Sequence, residues 1–261
     1  MKTGNTPAGL WRLLSLPMLV FFLLPLLALV LRTPVTSLLE SVNREQVRYA
    51  VGLSFVTTMI SAAIIIVAGT PVAYLLAVHH GRLEKFIDTL IDLPTVLPPS
   101  VAGIALLLAF GRRGLLGPVI NVLGIDIAFT QAAVVLAQTF VAAPFYIKSA
   151  SLAFASIEPD LTQAASLDGA SNWQIFRHIM APLAWAGLVS GLVMSWARAL
   201  GEFGATILFA GNLQGVTQTM PLAIYIGFEA NLDTAVTLSV ILMGLSFGAL
   251  LAAKALLNRT Q

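Results

Sequence analysis

The chain contains no cysteine, and only 10% of its 261 residues are charged. The missing thiols exclude disulfide bonds and thiolate metal sites. A net charge of +2 gives no basis for a nucleic-acid partner, because nucleic-acid binding depends on concentrated positive charge. What the chain has instead is apolar: 58% of its residues are hydrophobic, and its mean hydropathy is +0.91. This composition lies outside that of soluble proteins and predicts an all-α, polytopic membrane protein in contact with the lipid bilayer.

The apolar residues fall into blocks long enough to cross a membrane. A hydrocarbon core of about 30 Å requires about 20 residues of helix. Six segments qualify and predict six transmembrane helices, at residues 13–31, 49–78, 99–111, 129–147, 183–209 and 235–253. The first could be a secretory signal, but its apolar run is long and no A-x-A cleavage site follows it. We therefore expect it to remain as a signal anchor.

The Lys and Arg residues that flank these segments predict the orientation of the chain. With the N-terminus inside, the cytoplasmic side holds Lys2, Arg12, Arg82, Lys85, Lys148, Arg177, Lys254 and Arg259. The outer side holds Arg32, Arg44, Arg48, Arg112 and Arg113. Taken singly, each of these charges is best explained as a solvated loop end. Together they predict that both termini lie in the cytoplasm, and no linker divides residues 1–261 into more than one domain.

Catalytic and metal-binding patterns are weak in this sequence. Gly187, Gly191 and Ser195 predict a stripe of small side chains on the fifth span that lets helix backbones approach closely, and Gly244 and Gly248 predict the same on the sixth. Residues 244–248, GLSFG, also fit the G-x-S-x-G form of a serine nucleophile elbow. The histidines, His79, His80 and His178, fall in predicted loops and have no metal-ligand spacing. No lysine follows a glycine, which excludes the usual P-loop. We expect no catalytic residue and no metal site, and an intramembrane serine hydrolase stays a distant alternative.

The most polar long stretch, residues 157–184, lies between the fourth and fifth predicted spans on the cytoplasmic side. Its residues predict a short helix, a turn at Gly169 where a positive φ is tolerated, and a second helix. Ser171 and Gln174 match a capping box, and Pro182 predicts a bend into the next span. On the residues alone, an amphipathic hairpin that rests on lipid headgroups is an equally good interpretation.

The segment QAASLDGASNWQIFRHIMAPLA resembles the cytoplasmic EAA loop of ABC importer permeases, which reads E-A-A, three residues, Gly and, about a dozen residues later, Pro. It departs from that pattern at Gln163, where the family usually has Glu. The resemblance implies that residues 158–182 form a coupling helix that docks on an ATP-hydrolysing subunit. The residues it assigns to this contact are Gln163, Ala164, Ala165, Gly169, Ala170, Trp173 and Pro182.

Two further segments are similar to permeases for molybdate and the related sulfate group. Residues 93–117 resemble the stretch that opens the third span, where Pro94, Pro98 and Pro99 are expected to prevent regular helix and to lie near the pathway or a hinge. Residues 197–225 resemble the molybdate type. Within them, Arg198 and Glu202 are charges inside a span, which fit either a packing ion pair or contact with a passing oxyanion.

The resemblance implies an importer for molybdate in the cytoplasmic (inner) membrane. Its expected partners are a second copy of this chain, two ATP-binding cassette subunits and an external oxyanion-binding protein, which the loop at residues 211–219 would face. ATP and Mg²⁺ would bind to the partner subunits, and no cofactor to this chain. Tungstate, sulfate or thiosulfate as cargo stay alternatives, as does a secondary transporter or channel without an ATPase.

Overall fold

The computed structural model describes residues 8–258, so Lys2 and Arg259 of the predicted charge pattern lie outside it. All regular structure in this range is helical. The helices are α1 Ala8–Leu31, α2 Val35–Val42, α3 Glu45–Val78, α4 Arg82–Val96, α5 Pro99–Phe110, α6 Gly117–Val122, α7 Gln131–Ala155, α8 Pro159–Leu167, α9 Asn172–Ile175, α10 Ala181–Leu183, α11 Trp185–Leu200, α12 Gly204–Phe209, α13 Met220–Ala230 and α14 Leu232–Asn258. A π-helical turn, Phe176–Met180, joins α9 to α10. The predicted all-α class is confirmed.

Four helices, α1, α3, α7 and α14, are long and apolar enough to cross a membrane. Two further crossings are possible as bent pairs: α4 with α5, which meet at 117°, and the helical segment Asn172–Leu183 with α11, which meet at 72°. The described residues therefore support four to six crossings. The apolar segments confirm a multi-pass membrane protein.

The predicted third span, residues 99–111, is too short to cross the membrane as one straight helix. It corresponds to α5, which has only 12 residues. At about 1.5 Å per residue, α5 is about 18 Å long and cannot traverse the hydrocarbon core alone. Pro98, the residue before α5, has φ −53° and ψ 135°, which is not helical. Pro94 was predicted to interrupt the helix as well, but it lies inside α4, so that prediction is wrong. Any crossing at this point must therefore combine α5 with α4.

The predicted fifth span, residues 183–209, is interrupted twice. α11 begins only after Ala184 and ends at Leu200, and α12 starts at Gly204. Glu202 thus lies in the break that follows α11, rather than on one continuous helix with Arg198. The break separates two short helices whose ends require other partners for their backbone groups.

The centre of the fold is formed by α3, α7 and α11. Gly187 and Gly191 of α11 lie against α7: an added Cβ at Gly187 would stand 2.3 Å from the Cβ of Ala153. One turn further along the same stripe, the Ser195 hydroxyl donates to the Ala142 carbonyl at 2.9 Å. The predicted close approach of backbones along this stripe is confirmed.

The equally spaced glycines of α14, Gly244 and Gly248, have no other helix packed against them in the described part of the chain. A Cβ added at Gly244 or Gly248 would meet nothing within 4 Å. Between them, Ser246 lies inside the continuous helix α14, whereas a nucleophile elbow requires a sharp turn between a strand and a helix. The structure therefore removes the basis for a serine hydrolase.

A short helix, α13, was not predicted. Its first backbone N–H, at Met220, donates to the Ser54 hydroxyl of α3 at 2.7 Å, which satisfies a donor that the helix itself leaves free. The residues just before it, Thr217, Gln218 and Thr219, are buried. Of the loop at residues 211–219, only residues 213–216 are exposed and available to an external protein.

Candidate functional site

The polar stretch between α7 and α11 folds as a helical hairpin. α8 ends at Leu167, and Gly169 takes a φ of +86°. The second arm starts with a capping box in which the Ser171 hydroxyl accepts from the Gln174 backbone N–H, while the Gln174 side chain accepts from the Ser171 N–H at 2.8 Å. The glycine turn and the cap confirm the local structure predicted from the sequence.

Four aromatic side chains attach this hairpin to the membrane helices. Tyr74 of α3 meets Phe154 of α7 edge-on at 5.9 Å between ring centroids, and Phe176 of the hairpin edge-on at 5.6 Å. Phe154 and Phe176 are also in contact, at 5.9 Å, and Trp173 stacks on Phe176 at 5.6 Å. Each such pair contributes about 0.5 to 1.5 kcal/mol beyond its buried area. The second arm is therefore packed directly on the ends of α3 and α7.

The predicted docking residues divide into two groups by exposure. Ala165 and Ala170 are half-buried and pack on the core that contains the aromatic cluster. The other predicted contacts are exposed: Gln163, Ala164, Gly169, Trp173 and Pro182. Leu167 at the end of α8 is 89% exposed, although it is apolar. The exposed group gives the hairpin an outward surface with an apolar tip, which suits a protein contact better than solvent.

The hairpin continues into α11 through the π-helical turn and Pro182. A π-helical turn inserts an extra residue, and a proline lacks the N–H that a regular helix needs. The 72° bend follows directly, at Ala184. The predicted bend near Pro182 is confirmed, and the hairpin is joined to α11 by a short, bent connection.

Sequence reasoning missed the role of Lys148. It was assigned to a solvated loop end, but it lies within α7 and forms ion pairs with Asp88 at 2.5 Å and Asp92 at 2.9 Å. The two aspartates are four residues apart on α4, so they share one helical face. The spacing of the two aspartates indicates in the sequence that they could share a cation. Only the packing of α4 on α7 shows that this cation is Lys148.

A second charged pair lies at the break after α11. Arg198 Nη1 is 2.8 Å from Glu202 Oε2, and the Glu202 side chain is only 1% exposed. Its other oxygen, Oε1, accepts from the Ala205 backbone N–H at 2.8 Å and so caps α12. The Arg198 side chain is 30% exposed and its other guanidinium nitrogens make no hydrogen bond within the described residues. Glu202 thus holds a partly exposed cation in place.

The two predicted prolines lie beside this break. An added Cβ at Gly204, the first residue of α12, would stand 2.5 Å from the Pro99 Cβ. A Cβ added at Gly103, one turn along α5, would stand 2.8 Å from the Ala205 carbonyl oxygen and 2.9 Å from the Leu208 Cβ of α12. Pro98 and Pro99 themselves are exposed. The structure therefore places the predicted pathway residue Pro99, on α5, against the first residue of α12, two residues after Glu202.

The pathway candidates and the hairpin lie at opposite ends of α11. Trp185 to Arg198 is 13 residues, or roughly 20 Å of helix. The described residues contain no group of three or more His, Asp or Glu side chains that could hold a metal ion. This region therefore has an exposed hairpin surface at one end of α11 and a partly exposed arginine at the other.

Comparison with known proteins identifies the family. The family described as "Binding-protein-dependent transport system inner membrane component" matches residues 69–260. The chain is 42% identical over 242 residues to the molybdenum transport system permease protein ModB of Mycobacterium bovis, covering 92% of each. It is 39% identical over 196 residues to the putative molybdenum transport system permease protein YvgM of Bacillus subtilis, covering 75% of this chain and 86% of the relative.

Solved structures show the same fold. The chain superposes on a chain from the crystal structure of a bacterial alginate ABC transporter in complex with an alginate-pentasaccharide-bound periplasmic protein. The TM-score is 0.75 at 18% identity, and the alignment covers 96% of this chain and 94% of the other. Such permeases are the membrane components of their transporters and do not hydrolyse ATP themselves. This chain belongs to the family of binding-protein-dependent transport system inner membrane components.

Proposed function

We propose that this chain is the permease subunit of an ATP-driven importer for molybdate. The observation that carries the proposal is the hairpin at residues 158–182, which is exposed on its outer surface and joined through aromatic contacts to α3 and α7. The names of the relatives supply the cargo. The same assembly carrying tungstate, sulfate or thiosulfate is the alternative, because the features described here do not select among tetrahedral oxyanions.

The hairpin is suited to pass motion from a soluble motor to the membrane helices. Leu167 and Trp173 offer apolar surface to a partner, while Phe176 is packed against Tyr74 and Phe154. Because closely packed side chains have low compressibility and transmit strain, a displacement of the hairpin would move α3 and α7 with it. The bend at Ala184 transmits the same displacement to α11.

The assembly that we propose contains two copies of this chain, two ATP-binding cassette subunits and an external oxyanion-binding protein. The hairpins of both copies would dock on the ATP-binding subunits, which would hold ATP and Mg²⁺. At the other face, the exposed loop residues 213–216 are available to the binding protein. Closure of the ATPase dimer would then switch the permease pair between inward-facing and outward-facing states.

Arg198 is the residue that we propose for contact with the oxyanion. It is held by Glu202, yet keeps nitrogens that have no partner in the described part of the chain. The negative charge of Glu202 partly offsets that of the guanidinium, which weakens the attraction for a dianion. Weak attraction suits a pathway, because a tightly held ion would be released slowly. Pro98 and Pro99 would border the same pathway through the contact of Pro99 with Gly204.

Uptake into vesicles that contain the complete assembly tests the proposal. Radiolabelled molybdate should enter only with ATP and the binding protein, and unlabelled tungstate should compete more strongly than sulfate. Uptake of sulfate but not molybdate would assign the alternative cargo. Uptake without ATP would overturn the proposal in both forms.

A further inference from the structure

A cavity of about 290 Å³ lies between the end of α1 and the start of α14. Its walls include Ala28, Leu29, Arg32, Asp233, Val236 and Thr237. Arg32 is the first residue after α1, and Asp233 is the second residue of α14. Because both helices are apolar enough to cross a membrane, these two charges lie at one boundary of the hydrocarbon region.

The two charges share the cavity without satisfying each other. Arg32 and Asp233 are both exposed, and within the described residues neither side chain forms an ion pair or a hydrogen bond. At the floor, Thr237 is fully buried, and its hydroxyl also has no partner in the described residues. Opposite charges that line one cavity but remain apart fit a ligand that carries both signs.

The polarity of the cavity changes along its length. The charged residues stand at the helix ends, whereas Ala28, Leu29 and Val236 lie about one turn inside the spans. A ligand bound here therefore has its charges at the membrane surface and an apolar part beside the helices. Phospholipids have this arrangement, and free phosphate or a soluble metabolite lacks the apolar part.

We propose that this cavity binds the headgroup of a phospholipid that carries a phosphate and a primary ammonium, as phosphatidylethanolamine does. Arg32 contacts the phosphate with its guanidinium donors, and Asp233 accepts from the ammonium. The glycerol and the upper part of an acyl chain lie against Leu29 and Val236. The bound lipid fills the space between α1 and the rest of the fold, and so fixes α1, whose described membrane segment is otherwise unburied.

Lipid titration of the purified complete assembly, followed by native mass spectrometry, tests this site. Phosphatidylethanolamine should bind more tightly than phosphatidylcholine or phosphatidylglycerol with the same acyl chains. N,N-dimethylation of the ethanolamine should weaken binding. The preference should be roughly two- to fivefold, the ratio expected for one partly exposed ion pair. This comparison uses the unaltered protein and does not depend on the folding of a variant.

Two variants test which part of the headgroup each of the two charged residues contacts. Asp233→Asn should abolish the preference for phosphatidylethanolamine over phosphatidylcholine, and Arg32→Gln should weaken binding of all three lipids. Arg113→Gln and Glu229→Gln remove exposed charges outside the cavity and should leave the preference unchanged. Equal affinity for all three lipids in the unaltered protein would overturn the proposal.

Two other occupants of the cavity, a free anion and a second copy of this chain, would each give a different experimental result. Inorganic phosphate that displaces no lipid but raises the unfolding temperature through Arg32 would indicate a free-anion site, and would overturn the proposal. Because the chain has no cysteine, Leu29→Cys gives a single thiol. Efficient disulfide formation between copies at that thiol would show that a second copy covers the cavity, and would also overturn it.

Discussion

Arg198 Nη1 lies 2.8 Å from Glu202 Oε2, although α11 ends between the two residues. The pair joins the last turn of α11 to the first turn of α12, because the second Glu202 oxygen accepts from the Ala205 N–H. A charge that looks costly inside a span thus stabilises a break between two helices. The same contact leaves the arginine at a fixed and partly exposed position.

This relationship predicts that Glu202→Gln lowers the free energy of unfolding by about 1 to 3 kcal/mol, the range for a lost hydrogen bond to a charged group. The amide oxygen of Gln can still accept from Ala205, so the loss measures the missing charge opposite Arg198. Thermal unfolding of the purified assembly in lipid nanodiscs measures it. Arg112→Gln is the matched control: it breaks the exposed pair with Asp126 and should leave stability nearly unchanged, because water screens that pair. Equal effects of the two variants would contradict a structural role for Glu202.

Gly169→Ala should lower ATP-driven uptake by roughly fivefold or more, because a left-handed backbone costs a residue with a Cβ about 1 to 2 kcal/mol. Space is not the cause, since a Cβ at Gly169 would meet no atom within 4 Å. Gly124 has a similar φ, +70° compared with +86°, and the same open surroundings. Gly124→Ala therefore applies the same strain outside the hairpin. If it lowers uptake equally, the effect of Gly169→Ala does not report on coupling.

Phe176→Leu should reduce the number of ions imported per ATP hydrolysed, because it removes the aromatic contacts to Tyr74, Phe154 and Trp173. ATP hydrolysis would take place in the ATP-binding cassette subunit, so it should continue in this variant. Measuring uptake and phosphate release in the same vesicles gives the ratio. Phe110→Leu removes an aromatic contact with Phe209 elsewhere in the fold and should leave the ratio unchanged. An unchanged ratio for Phe176→Leu would refute the rigid connection.

Gly187→Ala should destabilise the protein by about 1 to 3 kcal/mol, because the new methyl group would overlap the Ala153 side chain of α7. Gly244→Ala should be neutral or stabilising, since its methyl group has free space and alanine favours a helix by up to about 1 kcal/mol. The unfolding temperature should therefore fall for Gly187→Ala, and it should stay the same or rise for Gly244→Ala. A loss of stability for Gly244→Ala that matches Gly187→Ala would show that α14 is tightly packed in the assembly.

Local features were predictable because their causes lie close together in the chain. The glycine turn at Gly169, the Ser171 cap and the bend after Pro182 each depend on residues within one or two turns of each other. The packing stripe that contains Gly187 and Gly191 was visible for the same reason. The family resemblance added the docking role of the hairpin, which its physical pattern alone did not separate from a lipid-surface hairpin.

By itself, the sequence determined the membrane class, the all-helical fold and the hairpin, since composition and short-range spacing encode all three. Only the tertiary structure decided where the third and fifth predicted spans break, and which charges meet. Lys148 and Asp88 are 60 residues apart in the chain. Arg32 and Asp233 line one cavity although they lie near opposite ends of the chain. Contacts of this kind depend on how whole helices pack, and no local pattern specifies which distant side chain will lie opposite.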